Sequence, residues 1–195
     1  MEIRVGRIVE METTRVVFET PFGWMGLAGG PEGIRRIYLP VEGKAQASAL
    51  LDRDFLSFPE RLSAFENEIA QIEEYFSGKR KEFLFSLDFS RATPFQKRVY
   101  EILLTIPFGE VRSYAWIARK MGNAKALRAV GHANGKNRWP LVVPCHRVVG
   151  SDGFLTGFSA LGGLDLKAKL LRHEGVPLAG RGVQGFRDSR GQGEP

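Results

Sequence analysis

One cysteine and three histidines are all that the 195 residues supply of the side chains suited to disulfides or soft metal ligation. A single thiol excludes an internal disulfide and any cysteine-rich zinc site, and no cofactor motif is found, so neither metal nor cofactor is expected. Long apolar runs are missing too. No stretch approaches the ~18 residues that span a bilayer, and Met1-Glu2-Ile3-Arg4 lacks the apolar core of a secretory leader. The expectation is a soluble, cytoplasmic chain with no membrane partner. Asn and Gln total nine, a scarcity that points weakly to a heat-adapted source.

Acidic charge is absent where it is most informative. From Val111 through Ser151 there is no Asp or Glu, while Arg112, Arg119, Lys120, Lys125, Arg128, Lys136, Arg138 and Arg147 fall in that stretch. Residues 91–175 carry fourteen Lys/Arg against five Asp/Glu, although the whole chain has a net charge of only +6. A field of one sign is the electrostatic footprint of a polyanion, and solvated faces kept for solubility usually mix signs.

With 43% hydrophobic residues the chain has ample material for a core. Residues 1–89 read as a small α+β unit. Strand-like runs at Thr14–Thr20, Gly23–Leu27 and Ile34–Leu39 are separated by turn signals and predict an antiparallel meander. Leu62, Phe65, Ile69, Ile72 and Phe76 share one face of a helix that Gly78 ends. Phe83 to Phe89 alternates apolar and polar and predicts one further strand before a boundary near residue 90.

Beyond that boundary, residues 90–175, the character is mainly helical. Thr93-Pro94 starts a helix that runs to about Thr105. Ser113 caps a short helix to about Lys120, and Gly122-Asn123 turns into a third helix from about Ala124 to Ala133, so two short helices joined by a Gly turn predict a helix-turn-helix. On the third helix Lys125, Arg128 and His132 share a side flanked by the small Ala129 and Gly131. Such a face can lie against another backbone while a long guanidinium reaches into a groove. A loop from Gly150 to Ser159 precedes a last helix, Asp165 to His173. The glycine-rich stretch 176–195 predicts a disordered tail.

The only cysteine stands in Pro144-Cys145-His146-Arg147-Val148. A thiolate is the nucleophile, and a free thiol with pKa near ~8.5 is only slightly ionised at pH 7, so a reactive Cys145 needs a lowered pKa, with His146 and Arg147 as candidates. On an extended chain Cys145 and His146 would point apart, and a bridging water would have to link them.

These residues bring the chain into resemblance with the 6-O-methylguanine-DNA methyltransferase family. The resemblance covers about residues 88–175 and rests on Thr93-Pro94-Phe95-Gln96-Lys97-Arg98-Val99-Tyr100, Ile106-Pro107-Phe108-Gly109-Glu110-Val111-Arg112-Ser113-Tyr114, Arg128-Ala129-Val130-Gly131, Asn137 and Pro144-Cys145-His146-Arg147-Val148-Val149. It implies an α+β protein with a ribonuclease-H-like N-terminal domain of little direct catalytic role and a helix-turn-helix, winged-helix-like C-terminal domain. It further implies single-turnover transfer of the alkyl group from 6-O-alkylguanine, with 4-O-alkylthymine as a further candidate, to Cys145. The implied partner is duplex DNA bound by a monomer.

Carried over by position, Cys145 resembles the alkyl acceptor, His146 its water-linked base, Glu174 the carboxylate that polarises the histidine, and Asn137 the hinge residue. Tyr114 resembles the residue that meets the flipped guanine, and Arg128 the finger that fills the vacated stack, supported by Lys125, Ala129 and Gly131. Pro140, Val148, Phe158 and Ser159 match positions that wall the base. Two departures stand out. Phe158 replaces a frequent Tyr, and Ser159–Gly163 is two residues longer than usual, which affects the placement of Glu174.

Two other classes compete on the residues alone. A pure DNA-binding regulator would leave Cys145 structural. A cysteine hydrolase would need an oxyanion hole and a histidine distant in sequence, His132 or His173.

Overall fold

The computed structural model describes residues 13–188. The order of elements is β1 (Thr14–Thr20), β2 (Gly23–Gly30), β3 (Gly33–Val41), α1 (Lys44–Phe55), α2 (Glu66–Phe76), α3 (Pro94–Leu104), β4 (Arg112–Ser113), α4 (Tyr114–Lys120), α5 (Leu127–Gly135), β5 (Val148–Val149), α6 (Gly163–His173), β6 (Leu178–Ala179) and β7 (Gly182–Val183). Helix and sheet are mixed, and no helix among the described residues is long and apolar enough to cross a membrane.

The first three strands form the predicted antiparallel meander, Val16 opposite Leu27 and Leu27 opposite Ile37. Strand alternation splits their side chains between two faces. Val17, Ala28 and Tyr38 meet Ala47, Leu51 and Phe55 of α1. Val16, Phe18, Met25, Leu27 and Ile37 enter the main core. Helix α1 is absent from the sequence expectations, although Ala47, Leu51 and Phe55 recur every four residues.

That main core does not stop at the predicted boundary. It continues through Ile69, Ile72 and Tyr75 of α2 into Val99, Tyr100 and Leu103 of α3, and on to Ile117, Val130 and Val143. Trp139 fastens the two parts. Its indole Nε1 donates to the Ile34 carbonyl at 2.6 Å, and the Ile37 amide donates to the Arg138 carbonyl at 2.9 Å.

Helix α3 begins as its sequence predicts. Thr93 Oγ1 accepts from the Gln96 amide and Gln96 Oε1 accepts from the Thr93 amide, a reciprocal cap with Pro94 in the first turn. Ser113 caps α4 by accepting from the Trp116 amide. Helices α4 and α5 lie against each other across the Met121–Ala126 turn.

Four expectations are corrected. Helix α5 starts at Leu127, and Lys125 sits in the preceding turn, its amide bonded to Asn123 Oδ1, because the Asn side chain offers the backbone an alternative to the helix. Phe83–Phe89 is no strand. It touches β3 at a single bridge, where Ile34 donates to Ser86 O and accepts from Asp88 N. Cys145–Arg147 is one turn of 3-10 helix rather than extended chain. Residues 176–188 are not a disordered tail. Strands β6 and β7 form a hairpin whose Val183 joins an apolar cluster with Val149, Leu155 and Leu171, and Asp188 accepts from Ser113 Oγ at 2.8 Å. The rest of the expected tail, 189–195, lies outside the described residues.

Candidate active site

The 3-10 turn that carries Cys145 is held by Asn137. Its Nδ2 donates to the Val143 carbonyl at 2.8 Å while its Oδ1 accepts from the Trp139 amide at 2.9 Å, so one amide closes the chain from α5 to the turn. Leu141 between them takes φ +80°, a left-handed conformation that a branched side chain adopts only when its surroundings enforce it. Cys145 is 5% exposed. Burial pushes its thiol pKa up, against the Asn137 amide, the Lys167 ammonium and the backbone amides of Cys145 and His146, which pull it down. The expected lowered pKa is therefore corrected. Burial thus disfavours the thiolate in the resting site.

Behind the thiol lies a fully enclosed charge network. His146 is 0% exposed, and its Nε2 faces Glu174 Oε1 at 2.8 Å. Arg147 donates through Nε to Glu174 Oε2 at 2.8 Å, through Nη2 to Oε1 at 2.9 Å, and through Nη1 to the Ile106 carbonyl. Tyr75 Oη donates to Glu174 Oε1 at 2.8 Å, and the Gly109 amide donates to Oε2 at 3.2 Å. Gly109 sits at φ +78°, and a Cβ there would lie 2.8 Å from the Glu174 carbonyl oxygen, so the close approach requires glycine.

Burial alone would raise the Glu174 pKa. Hydrogen bonds and charge from His146 and Arg147 overcome it and hold the carboxyl well below the usual carboxylate range. Burial likewise holds His146 below its ordinary value, against the opposing pull of Glu174. A neutral His146 whose Nε2–H is committed to Glu174 has its lone pair on Nδ1, and that atom is buried with no protein partner among the described residues. Arg147, a candidate for activating the thiol, is instead consumed by Glu174. The two-residue extension before α6 leaves Glu174 in hydrogen-bond contact with His146.

Lys167, which the sequence reading passes over, replaces Arg147 in that role. It is 0% exposed, donates to the Thr156 carbonyl at 2.7 Å and also to the Val148 carbonyl, and burial lowers its pKa to about 8 while Cys145 draws it upward. A lysine on the apolar side of a helix is the signal that could have found it.

Cys145 opens on a cavity of about 510 Å³ whose walls include Asn137, Pro140, Phe158 and Ser159. Ser159 is tied down by its Oγ, which donates to the Gly135 carbonyl at 2.8 Å. Tyr114 stands to one side, its hydroxyl donating to the Gly157 carbonyl at 3.2 Å and accepting from Asn134 Nδ2 at 3.3 Å. Gly157 has φ +51°, and a Cβ on it would lie 2.9 Å from Tyr114 Oη. Val148 does not reach the cavity. It is fully buried in β5 opposite Arg112. Lys125, Arg128 and Ala129 are exposed on and before α5, away from the cavity walls, and a Cβ on Gly131 would meet open space. Of the distant histidines, His132 is exposed on α5 and His173 is bonded to the Tyr75 carbonyl, so neither serves the thiol as a hydrolase would require.

A family model described as 6-O-methylguanine DNA methyltransferase, DNA binding domain, matches residues 94–176. The methylated-DNA–protein-cysteine methyltransferase of Methanosarcina acetivorans is 42% identical over 159 residues, which cover 82% of this chain and 96% of the relative. The crystal structure of the Mycobacterium tuberculosis O6-methylguanine methyltransferase superposes with a TM-score of 0.72 at 35% identity, covering 87% of this chain and 96% of that one. The M. tuberculosis protein in complex with DNA gives 0.71 at 38% identity, covering 83% and 92%.

Proposed function

The chain belongs to the 6-O-methylguanine-DNA methyltransferase family, and from that premise we propose how its residues divide the work of repair. The protein reverses damage directly, moving the alkyl group of 6-O-alkylguanine in DNA onto its own cysteine. The observation that carries the assignment of roles is the 2.8 Å contact of His146 with Glu174 behind a buried Cys145 at a cavity mouth.

Glu174 fixes the Nε2–H tautomer of His146, which leaves Nδ1 as the proton acceptor for the Cys145 thiol, through a water where the two do not touch. Because burial raises the thiol pKa, deprotonation belongs to the reaction itself. The Asn137 amide and the Lys167 charge steady the sulfur as it ionises. Sγ then bonds to the alkyl carbon, the bond from that carbon to guanine O6 breaks, and its electron pair returns to the purine, which takes up the proton. A thioether has no easy route back. One molecule acts once.

The target carbon lies inside the duplex, so the nucleotide must leave the stack, at a cost of a few kcal/mol. Arg128 on the exposed face of α5 fills the vacated place, with Ala129 and Gly131 allowing close approach and Lys125 holding a phosphate. Tyr114, Pro140, Phe158 and Ser159 wall the extruded base. Minor-groove entry carries little sequence information, which suits a protein that must bind wherever damage occurs.

The finer architecture follows from the same resemblance. Residues 13–89 form a ribonuclease-H-like domain and 90–175 a helix-turn-helix, winged-helix-like domain, acting as a monomer in the cytoplasm, while residues 1–12, which the resemblance counts with the first domain, lie outside the described residues. Among substrates, 4-O-alkylthymine is included.

Intact-mass measurement after mixing with duplex DNA containing one 6-O-methylguanine tests the function. A gain of one methylene, mapped to Cys145 and lost in Cys145→Ser, is expected. Sustained turnover with excess substrate would overturn the single-use mechanism.

A further inference from the structure

The family match ends at residue 176, and the chain beyond it is packed against the loop that leads to the cavity wall. The hairpin of β6 and β7 lies along residues 150–155. The Leu155 amide donates to the Arg181 carbonyl at 2.8 Å, the Val183 amide donates to the Gly153 carbonyl at 3.0 Å, and Phe154 bridges Gly182. Phe186 sits so close to Gly153 that a Cβ there would lie 2.9 Å from its side chain. Two residues beyond Leu155 the same loop presents the Gly157 carbonyl to Tyr114, and next Phe158 and Ser159 to the cavity.

From the hairpin the chain runs on to the start of α4. Asp188 Oδ1 accepts from Ser113 Oγ at 2.8 Å, and Oδ2 accepts from Arg119 Nη2 at 3.3 Å. Ser113 is fully buried, and its oxygen already accepts from the Trp116 amide at 2.9 Å. Its hydroxyl proton therefore needs an acceptor inside the protein, and Asp188 is that acceptor. The Asp188 side chain is itself only 12% exposed, which a carboxylate sustains when its oxygens are bonded. Helix α4 has seven residues, too few to hold its own geometry, and Tyr114 is the first of them. The cap governs where the Tyr114 ring stands.

Resting on the reading of Tyr114 as a wall of the extruded base, we propose that Asp188 is a positioning residue for that base. It acts through Ser113 on Tyr114, while the hairpin that precedes it holds the loop of Gly157 to Ser159. One C-terminal segment thus fixes two walls that come from different parts of the chain. The Tyr114 hydroxyl bond to the Gly157 carbonyl at 3.2 Å closes the span between them. A purine gains contact from walls held at a fixed spacing, and a small misplacement far from the chemistry is enough to lose it. The bonds of Asp188 go to Ser113 and Arg119, and neither belongs to the network of Cys145, His146 and Glu174. Its effect therefore falls on the binding of the base and leaves the thiol alone.

The test uses the full chain and free 6-O-methylguanine, with single-turnover transfer followed over a range of base concentrations. Asp188→Ala should raise the half-saturating concentration about fivefold, the size of a lost helix cap, while the pH dependence of Cys145 alkylation by iodoacetamide stays as in the wild type. Asp188→Asn keeps an acceptor for Ser113 and should recover most of the loss. Asp188→Glu, whose carboxylate reaches one methylene too far, should show an intermediate rise even if the alanine variant fails to fold. In a Tyr114→Ala background, which removes the ring through which Asp188 acts, Asp188→Ala should add less than about twofold. Unchanged half-saturation in the Ala and Glu variants overturns the proposal. So does a full effect that persists without the Tyr114 ring. Tighter duplex binding by both Asp188→Ala and Asp188→Asn, with free-base binding unmoved, also overturns it and would make the carboxylate a rival of DNA phosphate. If Tyr114→Ala binds free base as tightly as the wild type, the reading of Tyr114 fails, and the proposal with it.

Discussion

Tyr75 of α2 donates its hydroxyl proton to Glu174 Oε1 at 2.8 Å, across ninety-nine positions of sequence. The tyrosine is fully buried, and burial and the carboxylate raise its pKa far above the ordinary value, so it remains a donor at every working pH. The carboxylate bonded to His146 is thus held partly from the N-terminal half.

Tyr75→Phe should therefore slow alkyl transfer several-fold without abolishing DNA binding, and lower stability by about 1–2 kcal/mol for the lost hydrogen bond to a charged group. Tyr75 acts through Glu174, so the decisive measurement is the pH dependence of transfer to free base. The acidic limb should move, because a less anchored Glu174 changes the basicity of His146. An unmoved profile with reduced stability would leave Tyr75 a packing residue.

Acid should unfold the protein through this same network. Glu174 has a folded pKa below its unfolded value near ~4.3, so its contribution is complete above that pH and is lost as pH falls below it, where only the unfolded chain takes up the proton. His146, buried and neutral, is also depressed, and adds a loss that begins as pH falls below ~6.5. Urea midpoints between pH 7 and 4 should fall steadily for the wild type. Glu174→Gln should start lower, because it strands Arg147, and show a flatter slope. Equal slopes would place the acid sensitivity elsewhere.

Lys167→Met should slow transfer by tenfold or more. The variant removes the one buried cation that lowers the Cys145 pKa and leaves the Val148 and Thr156 carbonyls without their donor. Alkylation of the thiol by iodoacetamide across pH reads the pKa directly, and it should rise further above ordinary. If it does not, Lys167 only ties β5 to the Thr156 loop.

Arg128→Ala should slow repair of duplex far more than attack on free alkylguanine, since only the duplex requires a base to be displaced. Lys125→Ala should lower duplex affinity about uniformly across sequences and reduce the salt slope by about 1 if it neutralises one phosphate. Equal losses by Arg128→Ala on both substrates would reduce Arg128 to a phosphate contact.

Local physics made much of this legible in the chain itself. Thr93-Pro94 with Gln96 is a cap written in three residues, Ser113 another, and alternation places the meander, because each signal depends on neighbours within a turn or a strand. The acid-free stretch likewise disclosed the polyanion partner without any coordinates, and Pro144-Cys145-His146-Arg147 pointed to the cysteine proposed as nucleophile. What tertiary structure alone decided depends on groups distant in sequence. Arg147 turns from Cys145 to Glu174, Lys167 takes its place, and Tyr75 reaches Glu174, because a buried charge must find its partners wherever the fold brings them. The thiol pKa follows the same rule. Composition suggested activation by adjacent cations, but desolvation outweighs them, and burial is a property of the assembled core rather than of any pentapeptide.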